Sequence, residues 1–336
     1  MKQALKSLVY RTGLYSLLHR VRNRSALTVV SFHRVLDPGD PRFPTANPNY
    51  TVTTQELERC LLFFGEHYSV ISLKQVRQAA AGAKLPDNPL LITFDDGWRD
   101  NAEYALPIVA RFKFPAVLFL ATDYIASECG FWQEELYSRI VRCKLPRHEI
   151  WRRLGLPSPA PQIDLDQFAA ACADKLAALS AQARQETIER LPVEKNNLPP
   201  RMVRLDDLAR LDAAGFTIAG HGASHEPLTR HRNPVEELDA SYRALEGLPF
   251  PADTHAMSFP HGRYTRDIVR LARRVGFDLL FTSDSRLTST KSLPHSPLLG
   301  RVEINTKMLR KLAGEALEKG LVYWLFGQPI SEGFSP

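Results

Sequence analysis

Three places in the chain carry residues that can do chemistry, each just past a short apolar run. Thr93-Phe94-Asp95-Asp96-Gly97 follows the uncharged Pro89-Leu90-Leu91-Ile92. Gly220-His221-Gly222-Ala223-Ser224-His225 follows Phe216-Thr217-Ile218-Ala219, and His33-Arg34-Val35 follows Leu27–Phe32. Two adjacent carboxylates can divide the labour, one binding a metal while the other stays free as a base. Two imidazoles and one carboxylate make a facial ligand set that leaves positions open to water and substrate. Each signal alone is weak. Asp-Gly also ends strands as a plain turn, His-x-x-x-His pairs occur on ordinary surfaces, and a histidine past a strand is commonly structural. In one α/β register they reinforce one another and suit attack of water on an amide or ester carbonyl. The cation draws basicity from its own carboxylate and spares the neighbour, and an imidazolium can protonate a departing amine. His33 is the candidate for that acid.

The elements that must position these residues alternate. Runs apolar on both faces read as strands at Leu27–Phe32, Tyr68–Ile71, Pro89–Ile92, Ala116–Leu120, Phe216–Ala219, Ala256–Phe259 and Leu279–Thr282. Between them, helical spacing predicts helices at Leu73–Ala81, Asn101–Phe112, Leu205–Ala214 (ended by Gly215), Pro234–Leu248 and Asp267–Val275. A further helix, capped by Thr53 or Thr54, buries Leu57, Leu61, Leu62 and Phe64. Such alternation means a parallel sheet or a (β/α) barrel, with its site at the C-terminal strand ends. Leu298–Ile304, carrying Arg301 and Glu303, closes the sheet. Residues 130–200 are cut by prolines into two or three helical stretches without a strand. They form a helical insertion that covers the site or binds a partner. The expected division is therefore a basic N-terminal helix (1–26), a barrel (27–305) interrupted by 130–200, and a C-terminal helix and tail (306–336). Met308–Lys319 is the expected last helix, and the aromatic tail Val322–Phe326 packs rather than entering a membrane interface.

Composition narrows the class. The 336 residues are 44% hydrophobic and 24% charged, as expected of a soluble globular chain. No apolar run reaches the ~20 residues of a membrane span. Cys60, Cys129, Cys143 and Cys172 are scattered, which suggests reduced thiols and argues against a disulfide framework. The net charge is +6, and Lys2, Lys6, Arg11, Arg20, Arg22 and Arg24 account for all of it. The body is near neutral, which argues against a nucleic-acid groove. Residues 2–24 read as an amphipathic helix with Leu5, Leu8, Val9, Tyr15, Leu18 and Val21 on one side. Its two readings are peripheral contact with an anionic inner leaflet and a helix packed on the domain with its charges solvated. It lacks the features of a cleaved export signal.

Thr93–Gly97 together with His221–His225 resembles the first two motifs of the NodB-homology polysaccharide deacetylase family. The helix-glycine-strand lead-in Ala213–Ile218 resembles the family's, and Phe259-Pro260-His261-Gly262-Arg263-Tyr264 is similar to one form of its third motif. The resemblance covers roughly residues 27–128 and 200–304. It implies a distorted (β/α) barrel of about seven strands with a divalent metal, most often zinc, with Co2+, Ni2+ or Mn2+ as alternatives. It also implies Asp95 as general base and Asp96, His221 and His225 as ligands. No late strand read from the sequence carries the family's Leu-x-His acid. Ser31–Val35 resembles the early-strand element of the branch acting on poly-N-acetylglucosamine, which places the acid on His33. Arg301 is the candidate to hold Asp95 in place of the family's arginine, and Glu303 or Asp278 the candidate to orient His33. Phe259, Pro260, His261, Gly262 and Tyr264 are candidate substrate-binding or supporting residues. The implied activity is hydrolytic removal of acetyl from an N-acetylated amino sugar, in a surface polysaccharide or its lipid- or nucleotide-linked precursor. Another acyl group, a non-sugar amide and a catalytically silent carbohydrate-binding module are the alternatives. A cytoplasmic protein, either free or peripheral at the inner membrane, is expected.

Overall fold

A strand buried along its whole length needs a sheet covered on both faces, and Pro89–Asp96 is buried at every residue. In chain order the strands are β1 (Ala26–Phe32), β2 (Arg34–Leu36), β3 (Thr51–Thr53), β4 (Ser69–Val70), β5 (Pro89–Asp96), β6 (Ala116–Leu120), β7 (Phe216–Gly220), β8 (Asp253–Ser258), β9 (Leu279–Phe281), β10 (Leu287–Ser289), β11 (Leu298–Leu299), β12 (Val302–Glu303) and β13 (Ile330–Ser331). The structure is a computed structural model and describes residues 14–128, 130–157, 160, 162–193, 199–295, 298–312 and 317–332.

Among the described residues the main sheet has 11 strands in the order β11-β9-β8-β7-β6-β5-β1-β10-β13, with β4 also on β5 and β12 also on β1. Its pairings are parallel except β1 with β10. Leu298–Leu299 pairs with β9 and Val302–Glu303 with β1, so one stretch of chain returns the curled sheet on itself. Of the two folds the alternation allows it is the barrel, in the distorted form the resemblance implies, and its ring is β1, β5, β6, β7, β8, β9 and the closing stretch. Gly300 lies at the swerve between the two pairings. A Cβ there would come within 2.7 Å of the Asp284 carbonyl oxygen and 2.8 Å of that of Arg286.

Side chains alternate across the pleat, and two apolar clusters result. Leu27, Val29, Leu91, Val117, Phe119, Ala219, Ala256, Phe281 and Leu299 fill the barrel interior with the helix Leu73–Ala80. Val30, Phe32, Ile92, Phe94, Leu118 and Ile218 face the surrounding helices. Asp95 shares the pleat phase of Leu91, and Arg301 that of Leu299. Both are therefore aimed inward.

The insertion contains four helices among the described residues, Trp132–Arg142, Arg147–Arg153, Leu165–Leu176 and Ala181–Ile188. They share their own apolar cluster around Leu136, Ile140, Trp151, Phe168 and Cys172. The helix from Thr54 is capped by Thr53 in a reciprocal capping box with Glu56. Leu62, expected on its buried face, is 52% exposed, and Cys60 and Phe63 are buried there instead. The segment from Asn101 begins with a π turn before Leu106–Phe112 continues as α-helix. The aromatic tail is the end of a helix, Leu317–Phe326, whose Phe326 ring lies 5.5 Å from Tyr68 and 6.2 Å from Phe63.

At the other terminus Leu14–Arg22 is helical, and Leu5, Leu8 and Val9 lie outside the described residues. Arg22 ties this helix down by donating to the carbonyls of Phe326 (2.6 Å) and Gln328 (2.9 Å). Leu17, Leu18 and Val21 stay exposed. Among the described residues, no helix is long and apolar enough to cross a membrane.

Candidate active site

β5 delivers both carboxylates, and the pleat sends them apart. Asp95 points into the barrel and meets Arg301, which donates from Nη1 to Oδ1 at 2.6 Å and from Nη2 to Oδ2 at 2.7 Å. Arg301 also donates to the Thr282 carbonyl (3.0 Å) and the Thr93 hydroxyl (3.3 Å). Both members of the pair are 2% exposed. Burial pushes the Asp95 pKa up, and the charges of Arg301 and then His221 outweigh it, leaving it below the usual carboxylate value. His33, where β1 gives way to β2, brings Nε2 to 3.9 Å from Asp95 Oδ2. Its carbonyl accepts from Asn101 Nδ2 at 2.8 Å, which pins the backbone beneath the ring.

Asp96 turns to the other side. Its φ is 82° and that of Gly97 is 86°, a left-handed pair that ends the strand abruptly. A Cβ on Gly97 would come within 2.5 Å of Leu120 Cδ1. Asp96 Oδ1 lies 3.4 Å from His221 Nε2 and 3.1 Å from His225 Nε2. His221 Nδ1 lies 2.9 Å from the Ser258 carbonyl, which holds the ring proton there and leaves Nε2 free to coordinate. Burial raises the Asp96 pKa, but the charge of His225 and the closeness of both imidazoles hold it well below the carboxylate range. Burial lowers the pKa of His225, whereas in His221 the Asp95 and Asp96 charges overcome burial and raise it.

These three side chains fit a divalent cation. Their ligand atoms all lie within 4.8 Å of one another. Asp96 Oδ1 is a buried acceptor that receives no hydrogen bond, which makes it costly unless an ion or a protonated imidazole meets it. Two imidazoles and a carboxylate could hold zinc or another divalent transition metal.

The loop carrying the histidines is strained and held. Gly222 has φ +74°, and a Cβ there would meet Glu237 Oε1 and Pro260 Cγ, both at 3.1 Å. His225 has φ 61° and His261 φ 56°, so with Asp96 three non-glycine residues around this cluster are left-handed. Glu237 Oε1 restrains the loop by accepting from Ala223 N (2.9 Å), Ser224 N (2.7 Å) and Ser224 Oγ (3.0 Å).

The other candidates fall into three places. His261 stacks obliquely on His225 at 4.7 Å on the rim. Loss of water around the ring, and then the charge of His225, lowers its pKa, although the residue as a whole is exposed. Phe259 and Pro260 are buried and support the loop from below, Gly262 turns tightly against Ser283, and Tyr264 donates to Asp284 at 2.7 Å. Glu303 accepts from Asn305 at 3.2 Å rather than from His33. Asp278 is at the wrong end of the barrel. It precedes β9, so it lies at the N-terminal strand ends, where it pairs with Arg77 at 2.6 Å.

Other residues at the site carry no motif of their own. Trp98 Nε1 donates to Asp96 Oδ2 at 2.8 Å. Arg34 lies over the Trp98 ring, and Phe131, at the start of the insertion, stacks 4.1 Å from His225. The positions of Trp98 beside Asp-Asp-Gly and Arg34 beside His33 were available signals. Ser258 acts through its carbonyl, which leaves no mark in residue type.

Known proteins agree with this architecture. Residues 82–153 and 165–280 match the polysaccharide deacetylase family. Over 280 residues the chain is 32% identical to the poly-beta-1,6-N-acetyl-D-glucosamine N-deacetylase of Escherichia coli K12, covering 81% of this chain and 36% of that protein. It therefore spans about a third of that relative's length. Among solved structures it is similar to the Streptococcus pyogenes deacetylase PplD, seen in complex with acetate, with TM-score 0.57 and 17% identity, covering 90% of this chain and 99% of that one. It is also similar to IcaB from Ammonifex degensii, with TM-score 0.55 and 15% identity, covering 90% and 97%. A match across more than half its length, on the barrel that carries the paired aspartates and histidines, shows that the chain belongs to the polysaccharide deacetylase family.

Proposed function

We propose that the chain is a metal-dependent N-deacetylase that hydrolyses acetyl groups from a β-1,6-linked N-acetylglucosamine polymer or its lipid- or nucleotide-linked precursor. The observation that carries this reading is Asp96 Oδ1, a buried acceptor without a donor facing two imidazole nitrogens beside a second carboxylate. The sequence likeness to a poly-beta-1,6-N-acetyl-D-glucosamine N-deacetylase supports the choice of sugar.

In this reading Asp96, His221 and His225 hold the cation, which when bound supplies a Lewis acid for the amide carbonyl and lowers the pKa of water. Asp95 is the base. Its Oδ2 lies 3.9 Å from both His221 Nε2 and His33 Nε2, so this oxygen takes the proton of the attacking water. Arg301 orients both Asp95 oxygens and keeps the carboxylate ionised at neutral pH. His33 gives a proton from Nε2 to the departing amine nitrogen as the C–N bond breaks, and acetate and a free amine result.

The basic opening segment belongs to the same proposal. Leu17, Leu18 and Val21 are exposed together on a helix with Arg20 beside them, which suits peripheral contact with an anionic inner leaflet on the cytoplasmic side.

Acetate release from β-1,6-linked N-acetylglucosamine oligomers, with β-1,4-linked oligomers and N-formyl analogues alongside, tests the assignment. Release confined to the β-1,6 series supports it. Faster release from the formyl analogues, or none from any acetylated sugar in a zinc-loaded sample, contradicts it.

A further inference from the structure

The site contains a buried cation with no part in the chemistry above. Arg34 follows His33 and is 3% exposed. Its Nε donates to Asp100 Oδ2 at 3.0 Å and its Nη1 to Glu134 Oε1 at 2.6 Å. Its guanidinium carbon lies 4.6 Å from the centre of the Trp98 ring. Trp98 in turn donates to Asp96. Glu134 sits on the first helix of the insertion, whereas the other members of this chain of contacts belong to the barrel.

A buried guanidinium needs its carboxylates, and two of them leave this one a single pose. Held over the indole, it attracts the ring face and restrains the ring's rotation. Electron density drawn toward the cation also makes the indole N–H a stronger donor. That N–H occupies Asp96 Oδ2 and so leaves Oδ1 to face His221 and His225. A second contact runs the same way. Phe131, the residue before the Glu134 helix, packs 5.3 Å from Trp98 and 4.1 Å from His225.

Building on the metal-site reading, we propose that Arg34 and Glu134 are positioning residues for the Asp96, His221 and His225 cluster. The helical insertion is then a structural part of the site, not a cover laid over it. Its first helix sets the pose of Arg34, Arg34 sets that of Trp98, and Trp98 chooses the free oxygen of Asp96.

The test is zinc affinity, measured by competition with a chromogenic chelator on the full chain, beside kcat and KM. Glu134→Ala lowers affinity about 10- to 100-fold, the range for outer-sphere partners, and Glu134→Gln recovers part of it by keeping an acceptor for Arg34. Glu135→Ala is the control, since Glu135 is on the same helix and, among the described residues, forms ion pairs with Arg139 and Arg201 and not with Arg34. It leaves affinity unchanged. Trp98→Phe removes the N–H and keeps a ring. Combined with a Glu134 substitution, it costs less than the product of the two single losses, because both act through one contact.

Wild-type affinity in Glu134→Ala, equal losses in Glu134→Ala and Glu135→Ala, or fully multiplicative losses in the double variant would overturn the proposal. If Glu134→Ala does not fold, the cycle of Glu134→Gln with Trp98→Phe decides. A wild-type chain that binds no zinc refutes the metal reading and this proposal with it. A zinc-binding wild type with unmoved variants refutes the positioning alone.

Discussion

Replacing Arg301 by Met leaves Asp95 as a buried, unpaired carboxylate. The perturbation is severe because the pair is 2% exposed on each side and joined by two short hydrogen bonds, at 2.6 and 2.7 Å. Breaking a buried pair by removing one partner costs about 3–5 kcal/mol. Arg301 also serves the Thr282 carbonyl and the Thr93 hydroxyl, which places the loss toward the upper end of that range. Against a total stability of about 5–15 kcal/mol, the change is large enough to read with confidence in equilibrium urea unfolding of the metal-free protein. A second variant separates the charge from the packing. Asp95→Leu with Arg301→Met removes both charges and recovers a substantial part of the loss, because an apolar replacement of both partners leaves nothing unpaired. An Arg301→Met cost below about 1 kcal/mol, or a double variant as unstable as the single one, would refute the reasoning.

Four further outcomes follow from other parts of the molecule. Asp40 has its pKa lowered to about 2, since hydrogen bonds from Arg42 and Tyr104 outweigh its burial, so its stabilisation is present above about pH 4 and disappears as pH falls toward 2. Asp40→Asn therefore loses stability at neutral pH and shows a flatter stability profile between pH 4 and 2 by urea titration. Gly222→Ala forces a Cβ into a left-handed position against Glu237 and Pro260, and its melting curve reads a loss of about 1–3 kcal/mol together with weakened zinc binding. His33→Gln lowers kcat about 10²- to 10⁴-fold in an acetate-release assay while zinc content stays at the wild-type level. Leu17→Ser with Leu18→Ser reduces co-sedimentation with phosphatidylserine vesicles, and an unchanged bound fraction would remove the membrane contact from the account.

The ring of strands was legible because its members are apolar on both faces, as β5 and β6 show, and parallel burial leaves that signature. The five residues at the centre were legible for a different reason. Asp95, Asp96, His221, His225 and His33 each sit just past such a run, and parallel strands put all those ends on one side. Arg301 was a candidate only through the family resemblance, as a stand-in for the absent third-motif arginine, and the bend at Gly300 explains how it reaches Asp95.

What stayed hidden depends on contacts between distant segments. Glu134 looks like any helix-surface acid until the fold sets it against Arg34. Asp278 looked available to His33 in sequence, but a residue that precedes a strand lies at the end opposite the site. Glu303 is on the closing stretch as expected, yet Asn305 takes its carboxylate. The short β2–β3 pairing also escaped notice, because strands of this length leave no periodicity to count.

The most direct test of the central claim is zinc stoichiometry of the purified chain, measured on wild type, Asp96→Ala and His221→Ala, with acetate release from β-1,6-linked N-acetylglucosamine oligomers on the same samples. The account predicts bound zinc and acetate release in the wild type and neither in the two variants. Undiminished zinc in both variants, or acetate release from a wild-type chain stripped of metal, would contradict it.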